Sequence, residues 1–264
     1  MSYRDKQYKY IIVNVEDGIA VVKFNRPEVL NAVNFEMMQE RTEIYSELST
    51  DPAVRVVIST GDNRAYCAGG DLKAFSNYGV IEAREFADLV VAASATVYNM
   101  PKPTIAMIAG VCMGGGLESV LSHDIKIAAD NAKFALPEIN VGIYPGGGAT
   151  QRLPQLMSLS KVKELIFLGE PFDAQTALEL GIINKVVPLE ELETTTMKMA
   201  KKLAQKPPFA LRLAKDSINA AWSLSLEKGC QLETHGWSMC YGTQDQKEGM
   251  AAFIEKRKPI YKGQ

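Results

Sequence analysis

The sequence predicts an α/β fold in which strand, turn and helix repeat along the chain before a helical C-terminal region. The 264 residues are 47% hydrophobic and 23% charged, the mixture of a globular chain that can bury a core. From residue 10 to residue 188, short apolar runs alternate with helical patterns, which favours ββα or βαβ units stacked on one another. After Pro188 the chain is poor in strands. We therefore expect a core over residues 1–205 and a helical region over residues 206–264.

The individual elements follow from hydrophobic periodicity and from turn residues. Asp17-Gly18 separates two apolar runs, so residues 11–24 are predicted to form a β-hairpin. Asn34 is a good helix-capping residue, and the apolar spacing behind it indicates a helix over 35–49. The same criteria predict, in order, a strand over 54–59, a helix over 81–98, a strand over 104–108, a helix from Leu117, a strand over 124–129, and helices over 189–221, broken at Lys206-Pro-Pro208, and 224–258.

Charge and hydropathy exclude several classes of protein. The 29 basic and 31 acidic side chains leave a net charge of −2, which is too balanced for a broad nucleic-acid or anionic-membrane surface. Residues 1–9 are polar and lack the apolar core of a secretion signal, and no window approaches the roughly 20 apolar residues that span a bilayer. The sequence therefore predicts a cytoplasmic protein without nucleic-acid or membrane partners.

Cysteine and histidine content limits the chemistry available to a site. The four cysteines form no CxxC pair and no metal-ligand spacing, so we expect reduced thiols and no metal centre. Only two histidines are present, His123 and His235, which leaves few candidates for a histidine-based triad. Carboxylates and backbone groups are therefore the candidates for catalysis.

Two glycine-rich turns follow predicted strands. They are Ala65–Asp71 and Gly110–Glu118, and the second opens a helix at Gly115 or Gly116. Neither matches a nucleotide-binding fingerprint. Backbone N–H groups of two such turns can converge as an oxyanion hole, with the helix N-terminus adding positive potential. The alternative is that the glycines only permit tight turns.

Two glutamates lie next to these turns. Glu118 follows Gly115 by one helical turn, and Glu138 lies among apolar residues in Ala135–Ile139, an environment that raises a carboxyl pKa. Each could simply be a solvated surface residue. Their position beside glycine turns, in a chain with so little histidine, favours an acid–base role.

A set of motifs in fixed order gives the chain a family resemblance. The motifs are Asn25-Arg-Pro27, Leu30-Asn-Ala32, Ala68-Gly-Gly-Asp71-Leu-Lys73, Gly114-Gly-Gly-Leu-Glu118, Pro137-Glu138-Ile139, Gly142 through Gly148, Thr150-Gln-Arg-Leu153, and Asp245-Gln-Lys-Glu-Gly249 leading to Phe253–Lys258. From residue 10 to residue 262 the chain resembles the crotonase (enoyl-CoA hydratase) superfamily. The resemblance implies a spiral of ββα units with a C-terminal helical trimerisation region, assembled as a trimer or a dimer of trimers.

The resemblance also implies an acyl-CoA site. The thioester oxygen would be held by the N–H groups of Gly70 and Gly115. Coenzyme A would be bound by the first loop, Ala68, Gly70, Asp71, Leu72 and Lys73, while Gly146 would donate an N–H to the reacting water. In the family, residues at the positions of Phe253 and Lys256 contact coenzyme A from a neighbouring subunit. Coenzyme A is then part of the substrate, and no separate cofactor or metal is implied.

Within the superfamily, the residues at two acid–base positions indicate which reaction is catalysed. Hydratases of the superfamily carry glutamate at both, as here in Glu118 and Glu138, so reversible syn addition of water to a 2-enoyl-CoA is expected. Glu118 would deprotonate the water and Glu138 would protonate the α-carbon. The alternatives are a Δ3,Δ2-enoyl-CoA isomerase or another crotonase-type lyase or hydrolase. A protein of another class, a non-catalytic acyl-CoA binder, needs neither carboxylate.

Overall fold

The computed structural model describes residues 3–264 and contains a large and a small β-sheet with helices around them. The strands are β1 Ile11–Glu16, β2 Ile19–Phe24, β3 Val56–Thr60, β4 Ala65–Cys67, β5 Thr104–Ile108, β6 Val111–Met113, β7 Ile125–Ala129, β8 Lys133–Ala135, β9 Phe172–Asp173 and β10 Lys185–Val187. The helices are α1 Phe35–Thr50, α2 Leu72–Phe75, α3 Val80–Tyr98, α4 Gly115–Val120, α5 Ala149–Arg152, α6 Leu159–Leu168, α7 Ala174–Glu179, α8 Leu192–Ala204, α9 Pro208–Ala220, α10 Leu226–Cys240 and α11 Gln244–Ile254.

The two sheets are built together by a repeating unit. The large sheet has the order β1-β2-β3-β5-β7-β10 and the small sheet the order β4-β6-β8-β9. Each of the successive pairs β3 and β4, β5 and β6, and β7 and β8 gives its first strand to the large sheet and its second to the small one. Within each sheet these strands run parallel. The predicted stack of ββα units is therefore confirmed, as a spiral that adds one strand to both sheets at every turn.

The hairpin and the first helix form for the reasons that the sequence indicates. Asp17 and Gly18 both have positive φ, 49° and 76°, which is the geometry of a tight two-residue hairpin turn. The Asn34 side chain accepts a hydrogen bond from Met37 N at 2.9 Å and caps α1. Both predicted elements are confirmed, and α1 ends one residue later than expected.

Two apolar clusters pack on the large sheet. One includes Tyr45 and Leu48 of α1, and extends through Tyr66 and Phe134 of the small sheet. The other lies under α8 and is formed mainly by β-branched side chains of the parallel strands, such as Ile58, Ile105 and Ile127. Both faces of the large sheet are therefore covered by apolar side chains.

The structure corrects three details of the prediction. Residues 65–67 belong to strand β4 and not to a glycine loop, and the second glycine turn leaves β6 and not the 104–108 strand. The helix predicted over 224–258 is interrupted, because Thr243 Oγ1 accepts a hydrogen bond from Gln246 N at 3.1 Å and starts a new helix there.

The C-terminal helices are present as predicted, and α9 packs against α10. The division of the chain at residue 205 stays a prediction. Across residues 3–264, none of the helices is both long and apolar enough to cross a lipid bilayer.

Candidate active site

The two glycine turns meet at one edge of the small sheet. They leave β4 and β6, which pair in parallel, so the turns emerge side by side. Gly114 has a φ of 51°, which favours glycine, and a β-carbon placed on it would lie 3.6 Å from the α-carbon of Gly69. A β-carbon on Gly116 would overlap the carbonyl oxygen of Cys67. Close backbone approach therefore requires these glycines.

Each turn presents one unpaired N–H group. Val33 N donates to Gly69 O at 2.8 Å, and Asp71 N donates to Val33 O at 2.9 Å, so the first turn is held on both sides of Gly70. Gly115 is the first residue of α4, where the helix offers no acceptor for its N–H. Within residues 3–264, neither the Gly70 N–H nor the Gly115 N–H donates to another group. The arrangement leaves both donors available to a bound oxygen.

The first turn is braced by an ion pair. Arg26 Nη2 lies 3.1 Å from Asp71 Oδ2, and Arg26 Nη1 donates to Ala32 O at 2.5 Å. Asp71 Oδ1 also accepts from Ala74 N at 3.4 Å as the cap of α2. Because both carboxylate oxygens are engaged, the side chain of Asp71 supports the loop, and its predicted contact with coenzyme A stays a prediction.

Glu118 is buried and held by backbone donors. Its side chain is 4% exposed, and its Oε1 accepts hydrogen bonds from Gly147 N at 2.7 Å and Ala149 N at 3.1 Å. Burial raises the pKa of Glu118, whereas these donors and the charge of Arg152 act against that increase. Arg152 Nη1 in turn donates to Gly147 O at 3.1 Å, which fixes the loop. The environment of Glu118 thus contains groups that stabilise its ionised form.

Glu138 has a different environment. It lies on the 3₁₀ turn 137–141, and a β-carbon on Gly114 would be 3.1 Å from its Oε1. Its Oε2 is buried and has no hydrogen-bond partner in the described chain. Burial, with the charge of Glu118 as a smaller contribution, raises the pKa of Glu138 to about 7. Only its own backbone N–H acts against this increase, so Glu138 keeps its proton to a higher pH than an ordinary glutamate does.

Two carboxyls in different environments thus accompany two free N–H donors. This set can stabilise an oxyanion while protons move on and off a substrate held between the glutamates. Residues 14–264 match the model of the Enoyl-CoA hydratase/isomerase family. The chain belongs to this family.

Several members of the family are similar in sequence to this protein over nearly its whole length. The protein is 38% identical over 252 residues to the Crotonyl-CoA hydratase of Syntrophomonas wolfei, covering 95% of this chain and 97% of that protein. It is 38% identical over 249 residues to the Short-chain-enoyl-CoA hydratase of Clostridium acetobutylicum, covering 94% of this chain and 95% of that protein. The crystal structure of an Enoyl-CoA Hydratase from Bacillus anthracis superposes with a TM-score of 0.94 at 36% identity, covering 97% of this chain and 100% of that one. The crotonase-like fold is confirmed.

The family resemblance also implies roles for four residues outside the acid–base pair. Ala68 is half-buried and its N–H donates to Leu30 O at 2.9 Å, while Leu72 and Lys73 are exposed on α2. Gly146 is exposed, and the N–H that reaches Glu118 belongs to the next residue, Gly147. The predicted roles of Ala68, Leu72, Lys73 and Gly146 stay predictions.

The C-terminal candidates are on the surface of this chain. Phe253 is 85% exposed and Lys256 lies just beyond α11. Within residues 3–264, no hydrogen bond or ion pair joins either of them to the 68–73 loop. Their proposed contact from a neighbouring subunit stays a prediction.

Sequence reasoning missed the residues that hold Glu118. Gly147, Ala149 and Arg152 all act on this carboxyl, although they lie about 30 positions further along the chain. The run Pro145–Gly148 carried the signal, because a glycine-rich loop can present several N–H groups. The family resemblance implies a donor in this loop, Gly146, but nothing in the sequence indicates that the loop holds Glu118.

An apolar wall also borders the site. A β-carbon on Gly70 would overlap the Phe75 ring, and the Phe75 and Phe86 rings lie 4.5 Å apart. One helical turn after Phe86, Val90 Cγ1 lies 2.9 Å from the position of a β-carbon on Gly147. The wall formed by Phe75, Phe86 and Val90 therefore extends from one oxyanion donor to the loop that holds Glu118.

Proposed function

We propose that this protein is an enoyl-CoA hydratase that adds water reversibly to a 2-enoyl-CoA and gives a 3-hydroxyacyl-CoA. The observation that carries the proposal is the contrast between the two glutamates beside the free N–H groups. Two N–H groups of the 147–149 loop donate to Glu118, whereas the buried Oε2 of Glu138 has no hydrogen-bond partner. Hydration needs one base and one acid at the same moment, and this pair supplies them.

In the proposed reaction, the N–H groups of Gly70 and Gly115 bind the thioester oxygen. Ionised Glu118 takes a proton from water while the water oxygen bonds to the β-carbon, and the electron pair of the double bond moves onto the thioester as an enolate. Protonated Glu138 then gives its proton to the α-carbon. Removing one such oxyanion donor costs about 3 kcal/mol of transition-state stabilisation in other enzymes. No electrons are exchanged with a redox partner, and the N–H pair carries the enolate charge, so the step needs neither a redox cofactor nor a metal.

The wall next to Gly70 supports short-chain substrates. Phe75 and Phe86 are large, and the centres of their rings lie 4.5 Å apart. The two rings fill the volume beside the Gly70 N–H group. Two relatives at 38% identity bear the names Crotonyl-CoA hydratase and Short-chain-enoyl-CoA hydratase. We expect the highest kcat/KM for a four-carbon enoyl chain. Phe86→Ala should raise the ratio of activity on eight-carbon to four-carbon substrates about tenfold, whereas Val91→Ala, on an exposed side of the same helix, should leave the ratio unchanged.

The activity is tested with crotonyl-CoA. Hydration removes the absorbance of the conjugated enoyl thioester, and ¹⁸O from labelled water must appear in the product. Glu118→Gln and Glu138→Gln should each lower the rate by about 10² to 10⁴-fold while substrate still binds, whereas Glu85→Gln on the exposed surface of α3 should not. A relocated double bond without ¹⁸O would instead indicate an isomerase. Binding of every enoyl-CoA without turnover would indicate a non-catalytic binder.

Assembly and location belong to the same proposal. Large apolar side chains are exposed on the C-terminal helices and on the turn between α9 and α10, including Ile218, Trp222, Leu226 and Trp237. Such a surface suits contact with further copies of the chain, so we expect a trimer or a dimer of trimers in the cytoplasm. Sedimentation equilibrium measures the assembly, and a monomeric mass at micromolar concentration would contradict it.

A further inference from the structure

The short helix α4 carries two groups of the site and is held by contacts outside itself. It has six residues, begins at Gly115 and includes Glu118. A helix of this length has little stability of its own, so its orientation depends on what it packs against. The 147–149 loop holds it through Glu118. A second set of contacts comes from Ser119 and from His123, just beyond the helix, and both residues are 3% exposed.

Four buried residues form a closed ring of hydrogen bonds, called here the hydrogen-bond ring. His123 Nδ1 lies 2.9 Å from the Ser119 carbonyl oxygen, which can only accept, so Nδ1 carries the proton. His123 Nε2 therefore accepts from the Ser59 hydroxyl at 2.8 Å, and Ser59 Oγ accepts from the Tyr66 hydroxyl at 2.7 Å. Tyr66 Oη in turn accepts from the Ser119 hydroxyl at 3.4 Å, the longest of the four contacts. The hydrogen-bond ring thus starts and ends at Ser119.

The protonation states of its members fix the direction of the hydrogen-bond ring. Burial, with the charge of Arg41 as the next contribution, lowers the pKa of His123 well below its usual value, so the imidazole is neutral. Burial also raises the pKa of Tyr66, so its hydroxyl keeps the proton. Each member then donates once and accepts once. In a buried site, a closed chain of this kind strengthens its own bonds and holds its members in one arrangement.

The hydrogen-bond ring connects the two elements that carry the oxyanion donors. Tyr66 is the middle residue of β4, and this strand leads into the turn of Gly70, whereas Ser119 is on α4, which begins at Gly115. Ser59, on β3, links both to the large sheet. Within residues 3–264, the contact between Tyr66 and Ser119 is the one side-chain hydrogen bond that joins β4 directly to α4. A displacement of α4 would therefore change the separation between the two N–H groups.

We propose that the hydrogen-bond ring is a positioning network for the oxyanion hole, in which Ser59 and Tyr66 act through α4 on the Gly115 N–H. This inference rests on the proposed function, because two N–H groups stabilise an enolate oxygen only when both point at it. The ring members take no part in the proton transfers. A donor displaced by a fraction of an ångström loses part of its bond to the enolate, so opening the hydrogen-bond ring should lower kcat and leave substrate binding nearly unchanged.

Turnover of crotonyl-CoA tests the network. Tyr66→Phe and Ser59→Ala each remove one hydroxyl and open the hydrogen-bond ring, and each should lower kcat about tenfold while KM changes less than about twofold. Because both act through one network, the double variant should lose about as much as either single variant. Thr196→Val is the matched control, since it removes a buried hydroxyl that donates to Leu192 O at 2.8 Å on α8. It should lower the Tm, as the ring variants do, but keep the wild-type kcat.

The polarisation of a bound thioester is the independent measurement. Butyryl-CoA labelled with ¹³C at the carbonyl cannot be hydrated, because it has no double bond. Hydrogen bonds from the N–H groups of Gly70 and Gly115 should shift its carbonyl stretch to lower frequency in the infrared spectrum. The shift should be smaller in Tyr66→Phe and in Ser59→Ala than in the wild type, and unchanged in Thr196→Val.

Two outcomes would refute the network. In one, Tyr66→Phe and Ser59→Ala keep the wild-type kcat and the wild-type carbonyl shift. In the other, Thr196→Val loses as much kcat as they do, which would attribute the loss to stability alone. If Tyr66→Phe does not fold, Ser59→Ala decides, because it removes the smaller group. A wild type that shows the shift but does not hydrate crotonyl-CoA would contradict the proposed function only, and the carbonyl shift of the variants would then decide about the network.

Discussion

Replacing Glu138 by glutamine should make the protein more stable at high pH, although it removes most of the proposed activity. The reason is the buried Oε2 of Glu138, which has no hydrogen-bond partner, so ionisation is costly there. Raising the pKa from 4.5 to about 7 corresponds to about 3 kcal/mol in favour of the protonated form. Because this side chain is only half-buried, solvent screening reduces the figure to about 2 kcal/mol. Glutamine cannot ionise and avoids this cost.

The pH dependence follows from the direction of the shift. The pKa of Glu138 is higher in the folded protein than in the unfolded chain, so the unfolded chain releases the proton first as the pH rises. The wild type therefore keeps the contribution of this carboxyl below pH 4.5 and loses it progressively between pH 4.5 and about 7. Relative to the wild type, Glu138→Gln should gain about 2 kcal/mol in the free energy of unfolding between about pH 4.5 and about pH 8.

Denaturant unfolding at a fixed protomer concentration measures this difference at the two pH values. Comparing the same variant at both values cancels any cost of the amide that does not depend on pH. Glu85→Gln, at an exposed position of α3, is the matched control and should show no such change. If Glu138→Gln gains nothing between the two pH values, the carboxyl is solvated or paired, and the reasoning about its protonation is wrong.

Further predictions concern the proton balance and the glycine turns. The kcat/KM for crotonyl-CoA hydration should fall above pH about 7, because Glu138 then loses the proton that it delivers; a flat profile to pH about 9 would contradict this. Arg152→Gln should raise the pKa of Glu118 and move the acidic limb of the same profile to higher pH. Gly116→Ala should lower the free energy of unfolding by about 1–3 kcal/mol, because the new methyl group overlaps Cys67 O. Gly229→Ala, in open space on α10, should raise it by about 0.5 kcal/mol. Thermal unfolding measures both changes.

The long elements were predictable because their signals are local. Asn34 caps α1 through a bond to a residue three positions away, and Asp17-Gly18 closes a hairpin between adjacent strands. The three-residue strands β4 and β6 were not predicted, since so short a run has no periodicity. Likewise, the interruption at Thr243 depends on one cap within a continuous helical pattern.

The site was predictable in its parts but not in its connections. Gly70, Gly115, Glu118 and Glu138 were all identified from motifs and from the family resemblance. The donors that distinguish the two glutamates come from the 147–149 loop, about 30 residues after Glu118.

The repeating unit explains why two identical side chains acquire different hydrogen-bonding environments. Glu118 lies on the helix that follows β6, where it meets the donor loop that precedes α5. Glu138 follows β8, one repeat later, on a 3₁₀ turn that directs no N–H toward its Oε2. Both carboxyls are thus placed at the same sheet edge by the spiral, and in the proposed reaction the donors of the 147–149 loop make Glu118 the base. Substitutions in that loop should therefore alter the pH profile of the enzyme without touching a reacting atom.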